Sequence, residues 1–322
     1  MTAQTFRWAI QPYQRPFLTP LKTSHGVWSV REGLFVLLES QQSGEVGIGE
    51  VCPLPWFGTE TLEEAIALSQ TFSKNITVQA VHDISSKFPA SQFGWGTALE
   101  ALLRPKSELV QVASHQICGL LPAGERVLEA WPNLWQQGHR TFKWKVGVNS
   151  VDDELVLFRR LMSALPKDAK VRLDANGGLT MREAIAWLKA CDSHDHQIDF
   201  LEQSLAPKQF SDLKQLAQDF ATPIALDESV ASLADIQMCN QKEWPGFYVC
   251  KLAIMGFPWA IRNALANISN PKIFSSVFEA APGRDAALAL VSELGITNAL
   301  GFGVDHWLAE SPKVSINSST FS

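Results

Sequence analysis

The rhythm of apolar and polar positions changes near residue 110. Before it, RWAIQPYQRPF and LFVLLESQQSGEVGIGEVCPL read as antiparallel strands, with Gln42-Ser43-Gly44 supplying a turn between two of them. Two stretches with helical spacing follow, TLEEAIALSQTF and the run around WGTALEALL. A sheet followed by helices predicts an α+β domain over residues 1–110.

From residue 111 short apolar runs alternate with amphipathic stretches. VQVASHQIC, TFKWKVGV, KVRLDANG, IDFLEQSL, PIALDESV, GFYVCKLAI, PKIFSSVF and NALGFGV are predicted strands, with helical patterns between them. Parallel strands linked by helices at this spacing predict an α/β fold, a closed TIM-like (β/α) barrel over 111–303, with the tail 304–322 packing back on the first domain. An open doubly wound sheet is the alternative, but it calls for a Gly-rich first turn, and Gly119-Leu120-Leu121-Pro122 cannot cradle a diphosphate. The glycines of GEVGIGE fall within a strand pattern and are weak evidence for a nucleotide site.

Composition narrows the partners. With 27 basic and 33 acidic residues the net charge is −6, and no basic run tracks a nucleic-acid backbone. No stretch has the length of a membrane span, and the N-terminus carries no secretory pattern, so a cytoplasmic protein acting on a small molecule is expected. Cys52, Cys118, Cys191, Cys239 and Cys250 form no CxxC pair and read as reduced core thiols. Oligomeric state is not legible.

The charges at strand ends carry the chemistry. In Phe142-Lys143-Trp144-Lys145 both lysines share one face while Trp144 takes the other. With Trp144 against the helices, the lysines point inward, and two neighbouring ammonium groups would depress each other's pKa, which favours a lysine base. Arg172, Asp174 and Asn176 share the inward face of the next strand. Asp174, Glu202 and Asp227 then stand at the mouths of three consecutive strands, and Lys251 follows on the sixth. Unpaired carboxylates side by side repel unless a cation lies between them, and without His or Cys a hard ion such as Mg²⁺ is expected.

KWK, RLDAN, LEQ, LDES and the later lysine together resemble the signature of the enolase superfamily, in its muconate-lactonizing-enzyme-like branch. LKTSHGVWSVREGLFVLLES and GIGEVCPLPWFGTETL resemble that superfamily's substrate-covering loops, so the first domain is expected to be its capping domain. CGLLP, FSSVFEAAPG and LGFGVDHWL narrow the likeness to the o-succinylbenzoate synthases of menaquinone and phylloquinone biosynthesis. The resemblance implies Asp174, Glu202 and Asp227 as Mg²⁺ ligands (with Mn²⁺ a possible substitute), Lys145 as acid/base, Lys251 across the substrate, Lys143 tuning Lys145 and Glu228 behind the ligands. It also implies a lyase that dehydrates 2-succinyl-6-hydroxy-2,4-cyclohexadiene-1-carboxylate through a Mg²⁺-stabilised enediolate. Ser275, Ser276 and Gly303 are expected to hold substrate through backbone groups, with Arg172, Asn176 and His25 as further candidate contacts, and Arg31 near the same loop as another. Val277 stands where some family members have a third serine. An N-succinylamino acid racemase or a dipeptide epimerase would need the same metal and lysines and stays open here. A barrel that binds without chemistry would be expected to have lost one of these charges. His194-Asp195-His196 precedes strand four on the other barrel face and reads as a solvated loop.

Overall fold

The computed structural model describes residues 4–23, 26–104, 112–295, 298–317 and 319–321. β1 (Thr5–Thr23) pairs antiparallel with β2 (Gly26–Ser40), and β3 (Val46–Val51) and β4 (Asn75–Thr77) extend the sheet in the order β3-β2-β1-β4. The turn between β2 and β3 ends at Gly44, whose φ of 72° suits glycine and whose N–H donates to Ser40 O at 2.8 Å. The β1–β2 register slips between Pro16 and Leu21, a stretch whose prolines Pro16 and Pro20 cannot donate to the ladder.

Three helices follow: α1 (Leu62–Gln70), started by a Thr61/Glu64 capping box, α2 (Val78–His82) and α3 (Pro89–Leu103). The glycines of GEVGIGE serve packing. A Cβ on Gly49 would lie 1.9 Å from Gly94 O, so β3 and α3 meet backbone to backbone. No side chain but hydrogen fits between them.

Seven parallel strands form the second sheet: β5 (Gly119–Leu121), β6 (Thr141–Lys145), β7 (Lys170–Asp174), β8 (Ile198–Glu202), β9 (Ile224–Leu226), β10 (Phe247–Cys250) and β11 (Lys272–Phe274). Helices α4 (Val127–Gln136), α5 (Val151–Ala164), α6 (Met181–Asp192), α7 (Phe210–Asp219), α8 (Leu233–Gln241), α9 (Pro258–Ala266) and α10 (Ala281–Glu293) alternate with them. Parallel bridges from Ile117 to Leu300 and from Ser275 to Gly301 close the ring, so the predicted eighth strand survives as two bridges. It is short because its glycines are pressed against neighbours; a Cβ on Gly303 would lie 2.7 Å from Cys118 O.

The first barrel strand departs from expectation. Ser114–Gln116, within the predicted VQVASHQIC, is a 3-10 turn with exposed side chains, and residues 110–111 lie outside the described residues. The strand is Gly119–Leu121 instead, the stretch expected to turn. Apolar alternation alone misplaced it, because residues 113–116 are exposed and pack no buried face.

Trp144 is fully buried and packs outward on Trp187, with ring centres 6.0 Å apart; Trp187 in turn meets Phe158 of α5 at 5.5 Å. That fixes which way β6 faces. Inside the barrel, Phe200, Ala225, Val249 and Ile273 form a separate apolar cluster. Each lies two residues before Glu202, Asp227, Lys251 and Ser275, so period-two alternation stacks an apolar floor beneath a polar mouth. The tail returns to the first domain: Leu308 bridges to Phe17, and Arg15 Nε donates to Ala309 O at 2.8 Å. The five cysteines are free and buried, and among the described residues no helix is long and apolar enough to cross a membrane.

Candidate active site

The polar mouth layer lies at the carboxyl ends of β6 to β11. Asp174 and Glu202 close their strands side by side, paired in register, and Asp227 follows β9 directly; all three are buried. Lys143 reaches into this group, with Nζ 2.7 Å from Glu202 Oε1 and 2.9 Å from Asp174 Oδ2. Lys251 ion-pairs with Asp227, and its Nζ sits 4.1 Å above the Phe57 ring from the first domain. Lys145, opposite Asp174 in register, is exposed at the mouth, and among the described residues no hydrogen bond or ion pair engages its ammonium. Since β6 and β10 stand four strands apart in a ring closed by an eighth, Lys145 and Lys251 rise from opposite walls.

Charge in the mouth is unbalanced toward the acids. Burial pushes Glu202 up to about 8, helped by the Asp174 and Asp227 charges. Glu228 is raised to about 7, by burial first and then by Asp227, and its Oε2 is buried without a hydrogen-bond partner among the described residues. Burial also opposes ionisation of Asp174, but the Lys143 and Lys145 charges outweigh it and hold the carboxyl below its usual range. For Lys143, burial alone would lower the pKa; Asp174, Glu202 and Asp227 override it and carry the ammonium well above the usual lysine value. The expectation that Lys143 would be depressed by Lys145 is therefore corrected. Its near neighbours are carboxylates, at 2.7 and 2.9 Å.

Among the described residues no three acids are already gathered as a cage for an ion; the two ammonium groups stand between them instead. The donors nonetheless fit a hard divalent cation. They are buried carboxylate oxygens only, the neighbouring Glu228 Oε2 is buried without a hydrogen-bond partner among the described residues, and added positive charge favours the ionised form of Glu202. A stability consequence follows. Glu202 and Glu228 hold protons in the folded, metal-free protein at pH values where the unfolded chain has lost them, so stability falls as pH rises through about 7 to 8. Protein stripped with EDTA should therefore melt lower at pH 8.5 than at pH 6.5, and added Mg²⁺ should raise Tm more at the higher pH. Calorimetry in both buffers checks this, and a Mg²⁺ effect independent of pH would contradict it.

The other expected residues divide. Asn176, at a φ of 44°, donates from Nδ2 to Glu228 at 3.0 Å and from its backbone N–H to Asp174 Oδ1 at 3.0 Å, so it orients acids. Arg172 belongs to the floor layer. Its guanidinium lies over the Phe200 ring and donates to Asp199 at 3.0 Å and to Ala299 O at 2.7 Å. Ser275 is half-buried and bridges Gly301. Ser276 directs its hydroxyl to Glu279 at 2.8 Å. Gly303 approaches the Cys118 backbone, and His25 lies outside the described residues. Arg31 is buried and donates to main-chain carbonyls. His196 is exposed in its loop at the far end of the barrel.

Two contributors were missed. Gln203 is fully buried, and its Oε1 accepts from the N–H groups of Asp227 and Ser229, both at 3.0 Å, while its Nε2 holds Ser229 Oγ at 2.8 Å. It sets where the Asp227 carboxylate starts. Phe57 covers Lys251 from the capping side. Gln203 stands in the LEQ motif as its uncharged polar member, and Phe57 lies within GIGEVCPLPWFGTETL, the stretch expected to cover the substrate, signals that could have found both.

Residues 4–102 match the family model described as MenC, N-terminal domain, and residues 126–247 match the enolase C-terminal domain-like model. The o-succinylbenzoate synthase of Thermosynechococcus vestitus is 42% identical over 94% of this chain and 93% of its own. That of Yersinia enterocolitica is 31% identical over 70% and 67%. The crystal structure of o-succinylbenzoate synthase from Thermosynechococcus elongatus BP-1, complexed with Mg in the active site, matches with a TM-score of 0.89 and 40% identity over 96% of each chain. The chain belongs to the o-succinylbenzoate synthase family. A muconate lactonizing enzyme from Pseudomonas fluorescens, at TM-score 0.78 and 18% identity, shares the fold. Among epimerases, a hydrophobic dipeptide epimerase of Roseobacter litoralis is more distant at 26% identity over 67% of the chain. Membership in the synthase family thus favours dehydration over the racemase and epimerase alternatives.

Proposed function

We propose that this protein is a magnesium-dependent o-succinylbenzoate synthase, a lyase that dehydrates 2-succinyl-6-hydroxy-2,4-cyclohexadiene-1-carboxylate to 2-succinylbenzoate. The observation that carries the reading is the mouth layer: three buried acids on consecutive strands, flanked on opposite walls by Lys145 and Lys251. Residues 1–110 with the tail 304–322 form the capping unit in this reading and 111–303 the catalytic barrel, supported by the Phe17–Leu308 bridge and by family models that match on either side of the boundary.

Asp174, Glu202 and Asp227 hold the Mg²⁺, with Glu228 and Asn176 behind them. The ion supplies positive charge for the substrate's ring carboxylate and makes its neighbouring C–H more acidic. Lys145, in its neutral form, takes the proton from C1. The C1–H electron pair becomes the C1–C6 double bond as the C6–O bond breaks, and the same lysine returns its proton to the departing hydroxide, releasing water from one face. Lys251 presents a fixed positive charge from the opposite wall while negative charge develops. Lys143 holds Asp174 and Glu202 in place and keeps Asp174 ionised. Backbone groups of Ser275, Ser276 and Gly303 bind the substrate in this reading. Aromatisation drives the step, so the protein's task is orientation and charge compensation.

Loss of the diene's ultraviolet absorbance tests the assignment. Rapid conversion to 2-succinylbenzoate with Mg²⁺, abolished by EDTA, is expected; intact metal binding without conversion would reject this substrate.

A further inference from the structure

Arg31 is 2% exposed on β2, inside the capping domain, yet its guanidinium serves two loops that flank the barrel mouth. Nη1 donates to Pro53 O at 2.9 Å and to Glu32 O at 2.7 Å, Nη2 donates to Cys52 O, and Nε crosses to the barrel and donates to Val277 O at 3.0 Å. The segment it holds on one side leads into Phe57, whose ring lies 4.1 Å from Lys251 Nζ. The segment on the other is the turn after β11. There Val277 is pinned at both ends, its carbonyl by Arg31 and its N–H by Glu279 at 2.7 Å. Phe278, forced to a φ of 63°, packs on Phe17 and Trp28 of the hairpin, with ring centres 5.2 and 5.3 Å apart. Trp28 also lies against the guanidinium, at 5.7 Å.

We propose that Arg31 is a positioning residue for the dehydration, which locks the Cys52–Phe57 loop to the Ser275–Phe278 turn so that both rims of the site are set together. The inference rests on the synthase reading. A planar fork with fixed donor directions is suited to this, since it holds carbonyls from separate segments at once, and a lysine cannot reproduce that geometry. Glu50 supplies a comparison. Its carboxylate accepts from Ala280 N–H at 2.8 Å and Gly283 N–H at 2.9 Å, so it docks the same domain onto α10, and among the described residues it makes no hydrogen bond to residues 52–57 or 275–278.

Arg31→Lys and Glu50→Gln test the claim, with steady-state kinetics, melting and amide hydrogen exchange on each intact protein. Arg31→Lys should raise KM by about tenfold or more while kcat changes less than about threefold, because loosened rims weaken binding without touching Lys145. Exchange should quicken in segments 52–57 and 275–279 together. Glu50→Gln should lower Tm and leave KM within about threefold. An Arg31→Lys protein with wild-type KM and exchange overturns the proposal, as does a Glu50→Gln protein whose KM rises equally. If the wild type shows no turnover, the synthase reading has failed, and paired exchange in Arg31→Lys still decides the coupling. If Arg31→Lys does not fold, the wild type with added 2-succinylbenzoate decides: both segments should become protected over the same concentration range, and separate ranges refute the lock.

Discussion

Lys145→Ala is expected to lower kcat by about 10²- to 10⁴-fold, the usual contribution of a positioned acid/base, with metal binding and fold intact. The reason lies in what the residue does not do. Its ammonium is exposed at the mouth and engaged by no hydrogen bond or ion pair among the described residues, so truncation breaks no hydrogen bond, and Asp174, on which its charge acts, keeps the closer Lys143. Melting should therefore move little, by about 0.5 kcal/mol or less in stability terms. Lys143 makes the contrast. Removing it strips the counter-charge from Asp174 and Glu202, so damage there would mix stability with chemistry. Kinetics and melting on purified Lys145→Ala separate the two, and turnover near wild type would remove Lys145 from its role.

Glu202→Gln should trade function for metal-free stability. Its carboxyl, pushed up to about 8 by burial and then by Asp174 and Asp227, is costly to ionise in the empty site. The amide keeps the shape and abolishes that cost, so above pH 8 the metal-free variant should melt higher than wild type stripped with EDTA. The same change removes one of three anionic donors. Mg²⁺ should then no longer raise Tm, and turnover should fall to background. A variant that melts lower than wild type at pH 9, or still responds to Mg²⁺, would contradict this account of the mouth.

Much of this site was legible in the sequence because a barrel repeats its inward face every two residues. Once Trp144 was assigned to the helices, Lys145 had to face inward, and the strand-end acids followed by the same rule. The rule reports direction and not depth: Arg172 shares the Asp174 face but lies one layer down, against Phe200. The expected state of Lys143 failed for a related reason. Its sequence neighbour is a lysine, whereas its closest spatial partners come from β7 and β8. Gln203 acts only because β8 and β9 are adjacent, and Arg31 reaches Val277 across the domain boundary. No local pattern encodes such pairs. The first barrel strand was misplaced because alternation cannot tell a paired strand from an exposed turn.

A crystal structure of the protein with Mg²⁺ and 2-succinylbenzoate tests the central claim most directly. The expected result is one ion at about 2.0–2.1 Å from oxygens of Asp174, Glu202 and Asp227, with Lys143 and Lys251 drawn back from their present ion pairs and Lys145 against the product ring. An ion bound elsewhere, or product seated away from Lys145, would contradict the account.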